Sequence, residues 1–178
     1  MGPKHTRVDI LEGALAAALD DGLSQLTFGR LAKRLGISDR IIVYYFPSKD
    51  DLVSEVIVAM GLKLQQTLAA AFTTTATDHR ELMAAAWPVV AIPSTDRVFA
   101  LFVEANGLAA VGRDPYRKLV PTLVQVWIDW AAEFIEGTPE QRRREAETAV
   151  ALLDGLLLLR QLAGPEAADR AAATMGIT

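Results

Sequence analysis

The sequence contains no cysteine, and only two of its 178 residues are histidine. The absence of cysteine excludes disulfide bonds, thiolate metal sites and cysteine nucleophiles. The two histidines, His5 and His79, belong to no zinc-protease motif, and the chain carries neither a GxSxG motif nor a phosphate-binding P-loop. The sequence therefore predicts no enzyme activity, no catalytic residue, no metal and no cofactor.

Long apolar runs and turn-forming residues are also few. The most apolar stretches, residues 84–92 and 156–159, are much shorter than the roughly 20 residues that a membrane helix needs. No apolar run of the signal-peptide type follows the N-terminus. Glycine (12) and proline (8) are sparse, whereas hydrophobic residues make up 51% of the chain. This composition favours a helical protein with a sizeable core, which we expect in the cytoplasm.

The charge of the chain is unevenly distributed along its length. The net charge is −4, yet residues 27–49 hold five basic side chains and one acidic side chain, whereas residues 51–178 hold eleven basic and sixteen acidic ones. A basic segment on an acidic body is typical of a small DNA-binding domain. An ordinary solvated helix face would show the same pattern, so charge alone leaves both interpretations open.

Helix start and stop signals divide the first fifty residues into three short helices. Thr6, with Asp9 as capping-box partner, begins the first helix, and Gly22 ends it. The apolar residues that share one face of this predicted helix are Val8, Leu11, Leu15 and Ala18.

The next two helices are separated by a turn of about three residues. Thr27 begins one helix and Gly36 ends it, and Ser38 begins the other, which Pro47 closes. Ile42 and Phe46 are predicted to face inward. Helix, glycine-containing turn and short helix form the helix-turn-helix pattern, although helical corners of this kind also occur in other proteins.

The remainder of the chain is predicted to be helical throughout, with one clear loop at residues 73–77. A fourth helix begins at Ser48 and runs to about residue 72. The later helices are predicted at 78–92, 93–111, 115–135 and 139–163, followed by a short terminal helix. The predicted fold class is all-α, with an N-terminal three-helix domain at 1–50 (motif at about 27–46) and a C-terminal helical bundle at 51–178.

Residues 26–52 resemble the signature of TetR (tetracycline-repressor) family regulators, and with the first helix the resemblance covers about residues 6–55. The segments that carry it are Leu31–Ala32, Leu35–Gly36–Ile37–Ser38 and Tyr44–Tyr45–Phe46–Pro47–Ser48–Lys49–Asp50–Asp51–Leu52. The resemblance implies a transcriptional regulator that binds double-stranded operator DNA. The positions that it assigns to base or phosphate contacts are Thr27, Ser38, Asp39, Arg40, Ile41, Tyr44, Tyr45 and Lys49.

Three residues depart from the pattern of the family. Val43 replaces a frequent tyrosine, which removes one expected phosphate contact, and Tyr45 stands where histidine is frequent. Arg40 replaces a small residue and adds a guanidinium that can donate two hydrogen bonds to guanine, so we expect an operator that differs from a typical one.

The body is expected to mediate dimerisation and effector binding. Helix 139–163 is apolar nearly all round from residue 149 to 159, so it needs cover on every side, either inside its own subunit or from a partner through helices 115–135 and 139–163. A small apolar or amphipathic effector is expected at bulky or polar residues within apolar sequence. The candidates are Met83, Trp87, Phe99, Phe102, Glu104, Trp127 and Trp130. Ordinary core or interface contacts are the competing interpretation for these side chains.

The interpretation that we favour is a homodimeric, ligand-responsive repressor acting on a palindromic operator. Two alternatives remain open at this point: an activator or global regulator of the same fold without an effector, and a helical ligand-binding or adaptor protein that no longer binds DNA. Salt-dependent DNA affinity distinguishes the last of these from a regulator.

Overall fold

The computed structural model describes residues 5–177, which form nine α-helices and no strand longer than an isolated bridge. The helices are α1 (Arg7–Asp21), α2 (Phe28–Leu35), α3 (Asp39–Tyr45), α4 (Lys49–Ala69), α5 (His79–Val90), α6 (Pro93–Ala110), α7 (Tyr116–Ala132), α8 (Pro139–Ala163) and α9 (Pro165–Thr174). The all-α prediction is therefore confirmed. No single helix in residues 5–177 is long and apolar enough to span a membrane; α5 and α6 reach that length and hydropathy only together, across a bend of 108°.

The chain divides into two compact units. One comprises Met1–Leu62 and Leu101–Val120, and the other comprises Lys63–Ala100 and Pro121–Thr178. Residues 1–4 and 178, with which the two predicted domains begin and end, lie outside the described residues. Helices α4, α6 and α7 each run from one unit into the other.

The predicted caps at the N-terminal end of the chain are confirmed. Thr6 and Asp9 form a reciprocal capping box at α1. Ser48 forms the same arrangement with Asp51 at α4, where the Asp51 N–H donates to the Ser48 hydroxyl (3.0 Å) and the carboxylate accepts from the Ser48 N–H (3.2 Å). These side chains satisfy backbone N–H groups that the first turn of a helix leaves without partners.

The buried face of α1 differs from the predicted one. Val8 is 62% exposed and Leu11 is half-buried, whereas Ile10 and Ala14 are fully buried. Leu15 and Ala18 are buried as expected. The face turned toward α2 is decided by packing against that helix, which the sequence period of α1 alone does not reveal.

Gly36 ends α2 with a left-handed backbone (φ 67°, ψ 32°), and the Ile37 N–H returns to the Ala32 carbonyl (3.1 Å). A Cβ at this position would meet open space, so the cost of a side chain would come from the backbone conformation alone. We expect Gly36→Ala to lower the free energy of unfolding by about 1 kcal/mol in a denaturant titration. The matched control is Gly29→Ala inside α2, which also has open space and should raise stability by up to about 1 kcal/mol. Equal effects of the two substitutions would contradict the argument.

In the second unit, α8 packs against α5 and α9. Thr138 and Gln141 form a capping box at its start, and the helix spans 139–163 as predicted. The Glu145 carboxylate accepts from the His79 ring (2.5 Å) and from the His79 backbone N–H (3.0 Å). These hydrogen bonds hold the pKa of Glu145 below its ordinary value.

Two predicted helix ends are wrong. Helix α4 ends at Ala69 instead of about residue 72, and α7 ends at Ala132 instead of residue 135. After α7 the backbone forms hydrogen bonds with the loop at residues 73–77. The Ala76 N–H donates to the Phe134 carbonyl (2.7 Å), and the Glu136 N–H donates to the Ala76 carbonyl (2.9 Å). These two bonds replace helical ones, and Ala76 and Ile135 become buried. Of the two helices predicted for dimerisation, the first is therefore shorter than expected.

Candidate DNA-binding surface

Helix α3 presents a fixed outer face because its inner residues are completely buried. Ile42 and Phe46 are 0% exposed, as predicted from their spacing. Ser38 caps the helix by accepting from the Arg40 N–H (3.3 Å). The rigid attachment matters because a helix that reads DNA must hold its side chains in one register.

The outer face of α3 is polar at its start and apolar or aromatic farther along. Asp39, Arg40 and Ile41 form the first turn and are all exposed. Among the described residues, no hydrogen bond or ion pair engages the Arg40 guanidinium. It is therefore free to meet a ligand from solvent, which a paired arginine is not.

Tyr44 and Tyr45 differ in their surroundings. Tyr44 is 79% exposed, whereas Tyr45 is half-buried, and the two rings meet edge to face with centroids 4.9 Å apart. Tyr44 thus has its hydroxyl available at the surface, with Val43, 43% exposed, beside it.

Two helix starts of the same unit carry the remaining predicted contacts. Thr27 caps α2 by accepting from the Arg30 N–H (3.3 Å) and is exposed. Lys49 is exposed at the first position of α4. A helix N-terminus attracts phosphate oxygens because it carries a positive partial charge and N–H groups that are free to donate hydrogen bonds. A lysine at the same helix end adds a full positive charge.

A groove of about 430 Å³ lies between α1 and α2, and three basic side chains, Arg30, Lys33 and Arg34, line it. Arg34 is paired with Asp20 (2.6 Å), and Arg30 donates to the Gln25 side chain (2.5 Å). The sequence shows these charges but not that they line one groove, because the groove depends on how α1 packs on α2.

The candidate effector residues fall in both units. Phe102 and Glu104 belong to the first, and Met83, Trp87, Phe99, Trp127 and Trp130 belong to the second. Glu104 caps a turn: its carboxylate accepts from the Leu23 and Ser24 N–H groups (2.8 Å each) and from the Ser24 hydroxyl. Nearby, burial raises the pKa of Tyr116 to about 12, and the negative charges of Glu104 and Asp50 add to this shift.

Within the second unit, the structure brings two of the candidate tryptophans together. Trp127 and Trp130 lie edge to face at 5.4 Å, and Trp130 also contacts Phe72 (5.8 Å) and Phe134 (5.0 Å). All four rings are half-buried. Met83, Trp87 and Phe99 are buried, and the Trp87 indole N–H donates to Asp169 (3.2 Å).

Comparison with known proteins places this helix-turn-helix in a family. The family model for bacterial regulatory proteins of the tetR family matches residues 10–56, which include α2, α3 and the start of α4. A curated relative, the HTH-type transcriptional regulator BetI of Burkholderia thailandensis, is 29% identical over 164 residues, which are 89% of this chain and 83% of the relative. Residues 10–56 thus match the helix-turn-helix domain of the tetR family.

Solved structures of similar fold agree with this TetR-family assignment. A proposed TetR-family regulator from Rhodococcus sp. superposes with a TM-score of 0.75 at 16% identity, covering 96% of each chain. A proposed regulator from Saccharomonospora viridis, in complex with choline, gives 0.67 at 23% identity, covering 86% of this chain and 83% of its own. At these identities the solved structures show a shared fold, and the family model and the curated relative indicate a DNA-binding transcriptional regulator of the TetR type.

Proposed function

We propose that this protein is a homodimeric repressor that binds a palindromic operator through residues 27–49 and releases it when a small ligand binds the body. In this proposal residues 1–50 are the DNA-binding domain, and residues 51–178 serve dimerisation and effector binding in the cytoplasm. The observation that carries the proposal is the free Arg40 guanidinium at the leading end of a recognition helix whose inner side is fully buried.

The eight predicted contact residues take different roles in DNA binding. Arg40 reads a guanine in the major groove, with Ser38, Asp39 and Ile41 beside it at the same helix end. Thr27 and Lys49 bind phosphates, and Tyr44 contacts the sugar–phosphate backbone of the DNA from its exposed position. Tyr45 is half-buried, so its main role is to support Tyr44 through the edge-to-face contact.

Apolar surface on α7 and α8 supports the dimer. Val126 and Leu158 are 48% and 40% exposed, and Leu162 is 79% exposed. Exposed apolar side chains on two long helices favour a second copy of the chain as partner, because a two-fold four-helix bundle covers both copies at once. Such a dimer presents two recognition helices to successive major grooves of a palindrome.

Asp154 interrupts the apolar part of α8. Although the residue keeps an exposed surface, the dense protein around its carboxylate withholds water and raises its pKa to about 6. The folded protein then binds this proton more tightly than the unfolded chain does, whose carboxyl has the ordinary pKa of 3.8. Through this group, stability falls as the pH rises from about 4 to about 6, and the loss is complete above that range.

We therefore expect Asp154→Asn to raise the thermal unfolding midpoint at pH 8, and to raise it less at pH 5. Unfolding scans of the variant and the wild type at the two pH values measure this difference. Glu166→Gln, at a carboxylate whose side chain is 93% exposed, is the matched control and should leave the midpoint unchanged at both. An Asp154→Asn midpoint equal to that of the wild type at pH 8 would contradict the desolvation argument.

The effector proposal rests on the aromatic cluster Phe72–Trp127–Trp130–Phe134. Aromatic faces attract organic cations as well as apolar groups, so a small amphipathic molecule suits these rings. Choline is the first probe, because the similar S. viridis protein was solved with choline. Ligand binding would act on the DNA-binding unit through α4, which runs from one unit into the other, and the coupling would be reciprocal.

A transcription assay tests this function directly. A promoter carrying DNA selected by the protein is transcribed with and without the protein, and then in the presence of choline and other small ligands. Repression that a ligand relieves supports the proposal. Stimulation of transcription would make the protein an activator, and repression that no ligand relieves would remove the effector from the account.

A further inference from the structure

Arg7 contacts two parts of the DNA-binding unit that lie far from it in sequence. It is the first residue of α1, and its Nη2 forms an ion pair with Oε1 of Glu55 on α4. The same guanidinium lies over the ring of Phe46, with Cζ 5.0 Å from the ring centroid. One side chain therefore joins the beginning of α1 to α4 and to the residue that ends α3.

Phe46 connects the Arg7 contact to α3, because it is the residue that caps the C-terminal end of that helix. It is fully buried and follows directly on Tyr45, and its N–H closes α3 onto the Ile42 carbonyl (2.8 Å). A cation held over its ring restrains the C-terminal end of α3 relative to α4. Because α3 has only seven residues, a restraint at one end also limits its tilt at the other.

We infer that Arg7 is a positioning residue for operator recognition, which uses Glu55 and the Phe46 ring to hold α3 in its reading orientation. Arg7 then increases sequence-specific affinity without touching DNA. The inference rests on the proposed function, since it requires an operator that α3 reads. Its neighbour Thr6 is already used in the capping box with Asp9, so Arg7 is not needed to start α1.

The main competing role for Arg7 is a direct phosphate contact, because its side chain is 50% exposed. The two roles make opposite predictions for Glu55. If Arg7 binds a phosphate, Glu55 competes with DNA for it, and Glu55→Gln should leave DNA affinity unchanged or stronger. If Arg7 positions α3, Glu55→Gln should weaken operator binding as Arg7→Gln does.

The test compares full-length Arg7→Gln, Glu55→Gln, the double variant and Arg7→Lys with the wild type. Affinity is measured for a duplex selected by the wild type from a random library and for a scrambled duplex, at several salt concentrations. Arg117→Gln is the control, because it removes one positive charge from a local pair with Asp114 in the same unit. Unfolding midpoints are recorded for every variant.

We expect Arg7→Gln and Glu55→Gln each to weaken selected-site binding by about 5- to 30-fold, because each half of a dimer then lacks a modest ion pair and a modest cation–ring interaction. The double variant should be no weaker than either single one, because both break the same interaction. For Arg7→Gln, the salt slope and the affinity for the scrambled duplex should match the Arg117→Gln control, which loses the same charge. Arg7→Lys, which keeps a cation beside Glu55 and Phe46, should recover most of the affinity and gives the answer if the glutamine variants fail to fold.

Three results would overturn the inference and leave the proposed function intact. A salt slope that Arg7→Gln reduces, with no loss in Glu55→Gln, would assign Arg7 to a phosphate. Variants that all bind like the control would show that α3 needs no such restraint. An Arg7→Lys variant no better than Arg7→Gln would exclude the ion pair and ring contact. A wild type without site preference would instead contradict the proposed function, and the inference with it.

Discussion

Arg40→Ala is expected to weaken binding to the selected operator by at least about 30-fold, because a bidentate arginine–guanine contact is worth roughly 1–3 kcal/mol and a two-fold dimer loses two of them. Arg40 lies in the first exposed turn of α3, beyond the Ser38 cap. The variant should also lose its preference for guanine at the contacted position, since alanine has no donor. Selection of binding sites from a random library measures both effects.

The fold should tolerate Arg40→Ala, since the residue is exposed and no hydrogen bond or ion pair among the described residues engages its guanidinium. Arg170→Ala is the matched control, because it removes the same charge from a side chain that is 74% exposed on α9. The control should bind the operator like the wild type. If Arg40→Ala keeps both the affinity and the base preference of the wild type, Arg40 does not read a base.

Arg160→Ala is expected to lower the free energy of unfolding by about 3 kcal/mol, the cost of breaking a largely buried ion pair. The Arg160 side chain is 6% exposed, and its guanidinium donates to the Asp96 carboxylate from Nε (2.6 Å) and from Nη2 (3.3 Å). Asp96 is 35% exposed, so water can solvate the carboxylate that the variant leaves behind. This exposure keeps the cost at the lower end of the range for buried pairs.

The control for this prediction lies on the same helix. Arg143 also forms ion pairs, with Asp129 and Glu147 (3.0 Å each), but its side chain is 46% exposed. Arg143→Ala should therefore cost less than about 1 kcal/mol. Urea titrations of both variants give the comparison. Equal losses in the free energy of unfolding would show that burial does not determine how much the Arg160–Asp96 pair stabilises the protein.

Local signals explain what the sequence predicted correctly. The caps at Thr6, Thr27, Ser38 and Thr138 each depend on a side chain and a backbone N–H two or three residues away, so the sequence contains both partners. The exposed and buried sides of α3 likewise follow from its spacing and from the adjacent Gly36 and Pro47. For α3 the spacing of apolar residues was sufficient to predict which side is buried, because Gly36 and Pro47 leave few other positions for the helix.

Contacts between distant residues explain what the sequence did not predict. Glu104 caps a turn at Leu23, 81 positions earlier, and Arg7 pairs with Glu55, 48 positions later. The early end of α7 results from pairing with Ala76, which no local signal near residue 132 indicates. Each of these depends on how helices pack, and a single sequence gives no register for that packing.

The most direct test of the account measures binding of the purified protein to duplex DNA from around its own gene, over a series of salt concentrations, with its mass in solution determined in parallel. The account predicts a dimer that prefers one palindromic site and whose affinity falls steeply as salt rises, because cations on the protein displace counterions from the phosphates. A protein that binds no DNA at low salt, or that shows no preference among duplexes, would contradict it.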